Sequence, residues 1–280
     1  MTEPRPSRSF LFSIDLEDIR TFVPGGERYA ERVPTNVARY LEFLARHRVR
    51  CTFFTVGDVA RRYPALIERI LGDGHELACH GNDHESLDRL DPDGLRRTLE
   101  QNRRELEKLG ARDVRGYRAP TMSLTADRRW AYAVLAELGF TYSSSVIPAK
   151  NPLYGWPGFA TESVKMDGVW EIPVSLTSLP ALRVPFAAGT YFRALPFALI
   201  RRCFRADLAR GRAVVGYFHP WDIDAEQERF GFPDLGRFYT QLVYYNRTSV
   251  LPRLERLLRE RLEIVPYAEF VTRRLQSAAA

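Results

Sequence analysis

Short apolar runs rich in β-branched and aromatic residues alternate with amphipathic helical stretches along this 280-residue chain, which predicts an α/β protein built from parallel βαβ units. Several of those runs end in polar, chemistry-bearing residues, as strands do at the C-terminal face of a (β/α) barrel or a doubly wound sheet. The composition, 45% hydrophobic and 27% charged, is ordinary for a globular chain, and the length is one that a single α/β barrel reaches. One domain spanning residues 1–280 is expected.

The elements follow in order. RSFLFSID is a buried strand ending in a carboxylate. VPTNVARYLEFLARHRV places Val37, Tyr40, Leu41, Leu44 and Ala45 on one helical face, with Thr35 or Asn36 able to cap it. CTFFTV is a strand, PALIERILGDG a helix closed by glycine, and HELACH another strand. DPDGLRRTLEQNRRELEKLG is a long polar-faced helix, VRGYRAP a strand running into a loop, RWAYAVLAELGF a helix and TYSSSV a strand. Residues 150–193 are rich in proline and aromatics, with few helix signals, and read as an ordered loop-rich insertion beside the site. AVVGYFHPWDID is an apolar run that delivers His219. The C-terminal region reads as a loop, a helix with Leu251, Leu254, Leu257, Leu258 and Leu262 inward, and a closing strand.

Composition excludes some classes. The formal net charge of +6 is mostly arginine, without lysine-rich tracts or an RNA-binding signature, so no nucleic-acid partner is expected. The opening MTEPRPSRSFLFSIDLED has an apolar patch too short for a signal peptide or a membrane span, which reads as cytoplasmic. Cys51, Cys79 and Cys203 form neither a CxxC pair nor an even set, which agrees with a reducing compartment, and Cys79, which adjoins His80 and could be a ligand, reads as a core residue.

Three of the five histidines crowd into HELACHGNDHESL. His75 precedes the strand and reads as structural. His80 and His84 stand four apart, which on a helical turn or in a tight loop puts both rings on one side; with a carboxylate they could bind a divalent metal while leaving positions open for water and substrate. The polar residues expected at strand ends are Asp15, Glu17, Asp18, His80, His84, Arg118 and His219, and they should converge on one pocket.

SIDLED, the CTFFTV to HGNDHESL block, GYRAP and GYFHPWDID together resemble, in matching order, the motif series of the polysaccharide deacetylases with NodB homology. More narrowly, the chain is similar to the branch with D-x-E-D and H-P-W-[DE]-I-D motifs that is linked to exopolysaccharide biosynthesis. The resemblance implies a distorted (β/α) barrel of about seven strands and metal-dependent removal of an N- or O-acyl group from a sugar. It implies Asp15 as catalytic base and His80 with His84 as metal ligands. Asp18 is taken as the third ligand, with Glu17 the alternative. Arg118 is implied as the arginine that ion-pairs with the base, and His219 as the general acid, while Pro120, Tyr217 and Trp221 are assigned to substrate binding. One divalent ion is expected, zinc first, with cobalt, nickel, iron or manganese also compatible. The expected substrate is an acylated amino sugar in a glycan precursor, as a sugar nucleotide or polyprenyl-linked. RALPFALIRRCFRADLARGR reads first as a core-packed helix with a solvated basic face, and otherwise as a basic amphipathic helix in peripheral contact with the inner membrane face. Where many relatives carry an aspartate before the serines of YSSSV, this chain has Ser143, so Asp222, Asp224 or another acid must orient His219. A catalytically silent protein of this fold, binding glycan or a biosynthetic partner, is the alternative reading.

Overall fold

The computed structural model of the protein describes residues 7–151, 153–179, 182–232 and 236–276. Among the described residues nine strands form one sheet: β1 (Ser9–Leu16), β2 (Thr52–Thr55), β3 (Glu76–Cys79), β4 (Gly116–Tyr117), β5 (Tyr142–Ser143), β6 (Val164–Met166), β7 (Val169–Glu171), β8 (Val214–Phe218) and β9 (Glu263–Ile264). Eight of them run parallel, and seven of these lie in the order β7-β5-β4-β3-β2-β1-β8, which is the expected seven-stranded distorted barrel. β6 adds an antiparallel edge to β7, and β9 pairs with Ser9 and Phe10 at the start of β1. Between β7 and β8 there is no ladder. Ser175 bridges the seam instead, its N–H donating to the Val215 carbonyl at 3.0 Å and its hydroxyl accepting from the Val215 N–H at 3.0 Å.

Helices connect the parallel strands, as parallel geometry requires. They are α1 (Val33–His47) after β1, α2 (Gly57–Arg62) and α3 (Pro64–Gly72) after β2, α4 (Pro92–Lys108) after β3 and α5 (Ala131–Glu137) after β4. α6 (Gly189–Ala194) and α7 (Phe197–Ala209) lead into β8, α8 (Gly236–Tyr244) and α9 (Val250–Leu258) into β9, and α10 (Tyr267–Phe270) follows. α1 starts at Val33 with Pro34 in its first turn, so Thr35 and Asn36 lie inside it rather than capping it. The Asn36 amide instead donates to Asp224 Oδ2 at 2.8 Å. In α7, Ile200, Cys203 and Phe204 are buried in the core, while Arg201 and Arg205 pair with Glu260. Residues 150–193 hold the β6–β7 hairpin and α6, and β7 pairs directly with β5.

Strand parity sorts the core into two compartments. Phe10, Phe12, Ile14, Leu16, Phe53, Leu77, Cys79, Tyr117, Val214 and Phe218 join the layer between sheet and helices. Leu11, Phe54, Ala78, Tyr142 and Val215 join a second cluster inside the barrel, closed by Tyr267, Phe270 and Val271. Cys79 is thus a core residue, and burial pushes its thiol up to about 12.

β4 and β5 approach so closely that a Cβ on Gly116 would overlap the Tyr142 ring. That ring is held in place because its hydroxyl donates to Glu76 Oε1 at 2.5 Å and its face stacks on Tyr267 at 5.6 Å. Gly116→Ala is expected to cost about 1–3 kcal/mol by overpacking, read from urea unfolding.

His75 sits at the start of β3, where its Nδ1 accepts from the Cys51 N–H at 3.2 Å, and burial lowers its pKa from 6.5 to about 4. The folded protein therefore refuses a proton that the unfolded chain takes up. Stability is full above pH 6.5 and falls as the pH drops toward 4, by roughly 2–3 kcal/mol from this one group. His75→Asn, which keeps an acceptor, should lose correspondingly less between pH 7 and pH 4.5 in the same unfolding assay.

Candidate active site

Continuing the inward parity of the strands reaches the strand-borne groups of the site, while His84 and Asp222 follow in the segments after β3 and β8. After Leu11 come Ser13, Asp15 and Glu17; after Ala78, His80; after Gly116, Arg118; after Val215, Tyr217 and His219. All lie at or just past the C-terminal strand ends, where the ladder no longer claims the backbone.

Arg118 is fully buried, and each of its five N–H bonds has an acceptor. Nη1 donates to Asp15 Oδ1 (2.5 Å) and Ser13 Oγ (2.7 Å), Nε to the Ser144 carbonyl (2.8 Å), and Nη2 to Ser144 Oγ and Tyr267 Oη (3.0 Å each). The guanidinium also lies 4.0 Å from the Phe54 ring centroid. Its backbone carbonyl faces His80 Nδ1 at 2.9 Å. A carbonyl only accepts, so that contact puts the imidazole proton on Nδ1 and leaves the Nε2 lone pair facing the pocket, 3.6 Å from Glu17 Oε2 and 4.0 Å from Asp15 Oδ2.

The segment between His80 and His84 is a loop rather than a helical turn. Gly81 and His84 both take left-handed backbone angles, with φ of 76° and 56°. Backbone bonds from Gly57 and Asp58 to the Gly81 and Asn82 carbonyls dock this loop on the start of α2, and Pro120 packs over Gly81. The two rings meet with centroids 5.0 Å apart, and His84 Nε2 makes a short contact with Glu17 Oε2.

Glu17, His80 and His84 form the one group of potential metal ligands among the described residues, their donor atoms all within 4.8 Å of one another. Glu17 Oε2 is buried and receives no properly directed hydrogen bond, although two imidazole nitrogens face it. Lone-pair donors converging on one point suit a divalent cation, and the donor set fits zinc and its neighbours. Burial would raise the Glu17 carboxyl, but His84 above all, with His219 beyond it, holds it well below the usual range.

Asp18 does not join this group. Its carboxylate takes the Arg20 guanidinium at 2.7 Å and Arg62 at 3.0 Å, and also accepts from the Arg20 N–H as the cap of a short 3₁₀ turn. Adjacent residues of extended chain face opposite ways, so a stretch that aims Asp15 and Glu17 inward turns Asp18 outward.

His219 reaches the cluster from β8, with Nε2 3.5 Å from Glu17 Oε1. Its Nδ1 and its backbone N–H both face Asp222 Oδ2, at 3.0 and 2.8 Å. Burial would lower the imidazole pKa, but the Asp222 carboxylate outweighs it and the net shift is upward. Asp222 therefore occupies the orienting place, whereas Asp224 is held by Arg32 and Asn36, and the Ser143 hydroxyl bonds that of Ser145. Burial would raise the Asp222 carboxyl, but Arg193 and His219 bring it down to about 2.

Trp221 stacks on His219 at 4.3 Å and 6°, and Tyr217 meets the same ring edge-on at 5.7 Å. Phe22, 36% exposed, adds an aromatic face beside His84 and Trp221 that no sequence pattern marked. Ser13, Ser144, Tyr267 and Arg193 were equally silent, being distant in sequence from the groups they hold.

These features define a parallel β/α barrel with a histidine–carboxylate centre at its C-terminal rim. Residues 24–143 match the polysaccharide deacetylase family, and residues 144–270 match a domain of unknown function, DUF3473. Residues 24–143 thus carry the polysaccharide deacetylase domain, and the region described as DUF3473 follows it directly. The boundary between the two matches falls inside one continuous sheet. Among curated relatives, a chitooligosaccharide deacetylase of Sinorhizobium fredii is 39% identical over 88 residues, 31% of this chain and 41% of that protein. This chain thus spans less than two thirds of that relative. Among solved structures, a Mycobacterium smegmatis protein classed as a polysaccharide deacetylase is 23% identical over 99% of this chain and 94% of its own, with a TM-score of 0.65. A pseudoenzyme of carbohydrate esterase family 4 from Bacillus anthracis shares the fold at 12% identity over 94% of this chain and 65% of its own, with a TM-score of 0.52.

Replacing Glu17 by Gln, or His80 or His84 by Ala, should weaken zinc or cobalt binding, measured by calorimetry, by more than the ~10–100-fold typical of outer-sphere changes. Asp18→Asn should leave the affinity within about that outer-sphere range or better, since its carboxylate faces two arginines.

Proposed function

We propose that the protein is a metal-dependent N-deacylase that removes an acetyl or formyl group from an amino sugar. The observation that carries this reading is the convergence of Asp15, Glu17, His80, His84 and His219 on one pocket, with Glu17 Oε2 buried and without a directed hydrogen bond. Glu17, His80 and His84 would hold the divalent ion. Bound there, the ion would supply Lewis-acid polarisation of the acyl oxygen and a more acidic water.

The remaining steps belong to side chains. Asp15, ion-paired through Oδ1 to Arg118, keeps Oδ2 toward the pocket to accept the proton of the attacking water. His219, held through Nδ1 by Asp222, presents Nε2 to protonate the departing amine. Trp221 and Phe22 offer aromatic faces at the rim for the apolar side of a sugar ring, and Tyr217 and Pro120 complete the wall. The substrate we put forward is an acylated amino sugar in a glycan precursor, whether nucleotide-linked or lipid-linked. No helix among the described residues is long and apolar enough to cross a membrane. The apolar side of α7 is turned to the core, so contact with an anionic membrane would rest on its arginines alone.

Because a pseudoenzyme shares the fold, activity has to rest on the site. The metal-loaded protein should release acetate or formate from at least one member of a panel of free, nucleotide-linked and lipid-linked N-acyl amino sugars. Asp15→Asn and His219→Ala should each lower kcat by about 10²–10⁴ while retaining the metal. A folded, metal-loaded wild type that hydrolyses nothing in the panel would favour a glycan-binding scaffold.

A further inference from the structure

The orienting aspartate is itself held by an element outside every motif of the site. Helix α6 packs beside β8, where Phe192 meets Phe218 at 5.2 Å and a Cβ on Gly216 would overlap the Ala187 carbonyl. From this helix the fully buried Arg193 donates Nη2 to Asp222 Oδ1 at 2.8 Å. Its other N–H groups are taken by the Gly189, Val243 and Tyr245 carbonyls, at 3.1, 2.9 and 2.7 Å, and by Thr190 Oγ1 at 3.3 Å. Every N–H of the guanidinium thus has an acceptor. The other side of the Asp222 carboxylate rests on Gly189, where an added Cβ would overlap Oδ2, the oxygen that faces His219.

We propose that Gly189 and Arg193 form a socket that clamps the Asp222 carboxylate and through it aims His219 Nε2 into the pocket, which makes both of them positioning residues for the hydrolysis. The socket rests on the deacylase reading for its catalytic consequence, though not for its geometry. It gives the region of unknown function a concrete task, since Gly189, Arg193, His219 and Asp222 all lie within residues 144–270. The arrangement parallels Arg118 and Asp15, with a saturated, buried guanidinium on one carboxylate oxygen and the reactive side left to the other. A glycine is required at 189 for close approach, as no side chain fits between α6 and the carboxylate.

The test uses Gly189→Ala, Arg193→Met and Arg193→Lys in the full chain, with metal content checked in each. Proton NMR reads the downfield Nδ1–H of His219 bonded to Asp222, assigned by its loss in His219→Ala. Gly189→Ala and Arg193→Met should lose or shift that signal and lower kcat by about 10–100-fold, with KM within about twofold and metal content unchanged. Arg193→Lys, which keeps a cation in the socket, should recover part of both. Folded Gly189→Ala and Arg193→Met variants that keep the signal and full kcat would overturn the proposal and leave Arg193 a tie between α6 and the C-terminal end of α8. If Arg193→Met does not fold, Gly189→Ala, which removes no charge, decides alone. If the wild type shows the signal but hydrolyses no acylated amino sugar, the deacylase reading fails while the signal in the variants still judges the socket.

Discussion

A guanidinium with no access to water must find an acceptor for every N–H, and Arg118 meets that demand by drawing three separate parts of the chain to one point. Ser13 and Asp15 come from β1, Ser144 from the end of β5 and Tyr267 from α10, while the backbone of Arg118 binds Cys79 on one side and His80 on the other. Loss of any partner would strand part of a buried charge, so the geometry of the pocket is enforced by solvation as much as by packing. The aim of the Asp15 carboxylate follows from the side chain of this one residue, and the proton position on His80 from its backbone carbonyl.

The second half of the barrel repeats the device with different parts. Asp222 lies between Arg193 and His219, and its neighbour Asp224 is bound by Arg32 and Asn36 of the first half. Each carboxylate that would handle a proton is thus anchored on one oxygen and directed by the other. The orienting acid arrives three residues after the histidine, on the same turn, so Ser143 is free to exchange a hydrogen bond with Ser145. Glu171 supports this exchange from behind, accepting from the Ser145 and Val146 N–H groups and from the Tyr132 hydroxyl.

Legibility in the sequence followed the range of the interaction. Strands announced by β-branched runs and helices with a clear apolar stripe were readable because both periodicities are local. The same period-two logic would have separated Glu17 from Asp18 had it been extended past the strand end, since Asp15 and Glu17 share a face and Asp18 does not. α1 misled at its start because Pro34 sets the first turn without a side-chain cap. The His80 to His84 stretch misled because spacing of four suits a helix, whereas Gly81 and the left-handed His84 bend it into a loop. Arg193 left no trace, because its partner Asp222 lies 29 residues away and only the closed fold joins them. The short strands around the seam were also hidden, having two or three residues each and edges completed by single bonds such as those of Ser175.

The pairing of β1 has a consequence for how the chain is made. One edge of β1 goes to β2, close behind it, but the other goes to β8, with Ser13 bonded to Gly216 across 203 residues of sequence. On a ribosome adding roughly 5–20 residues per second, the apolar SFLFSIDL segment therefore waits on the order of ten to forty seconds with an unpaired edge. Such an edge is a template for other chains. The long-range closure that assembles the site also makes the nascent protein slow to fold and dependent on protection from its neighbours until residue 218 has emerged.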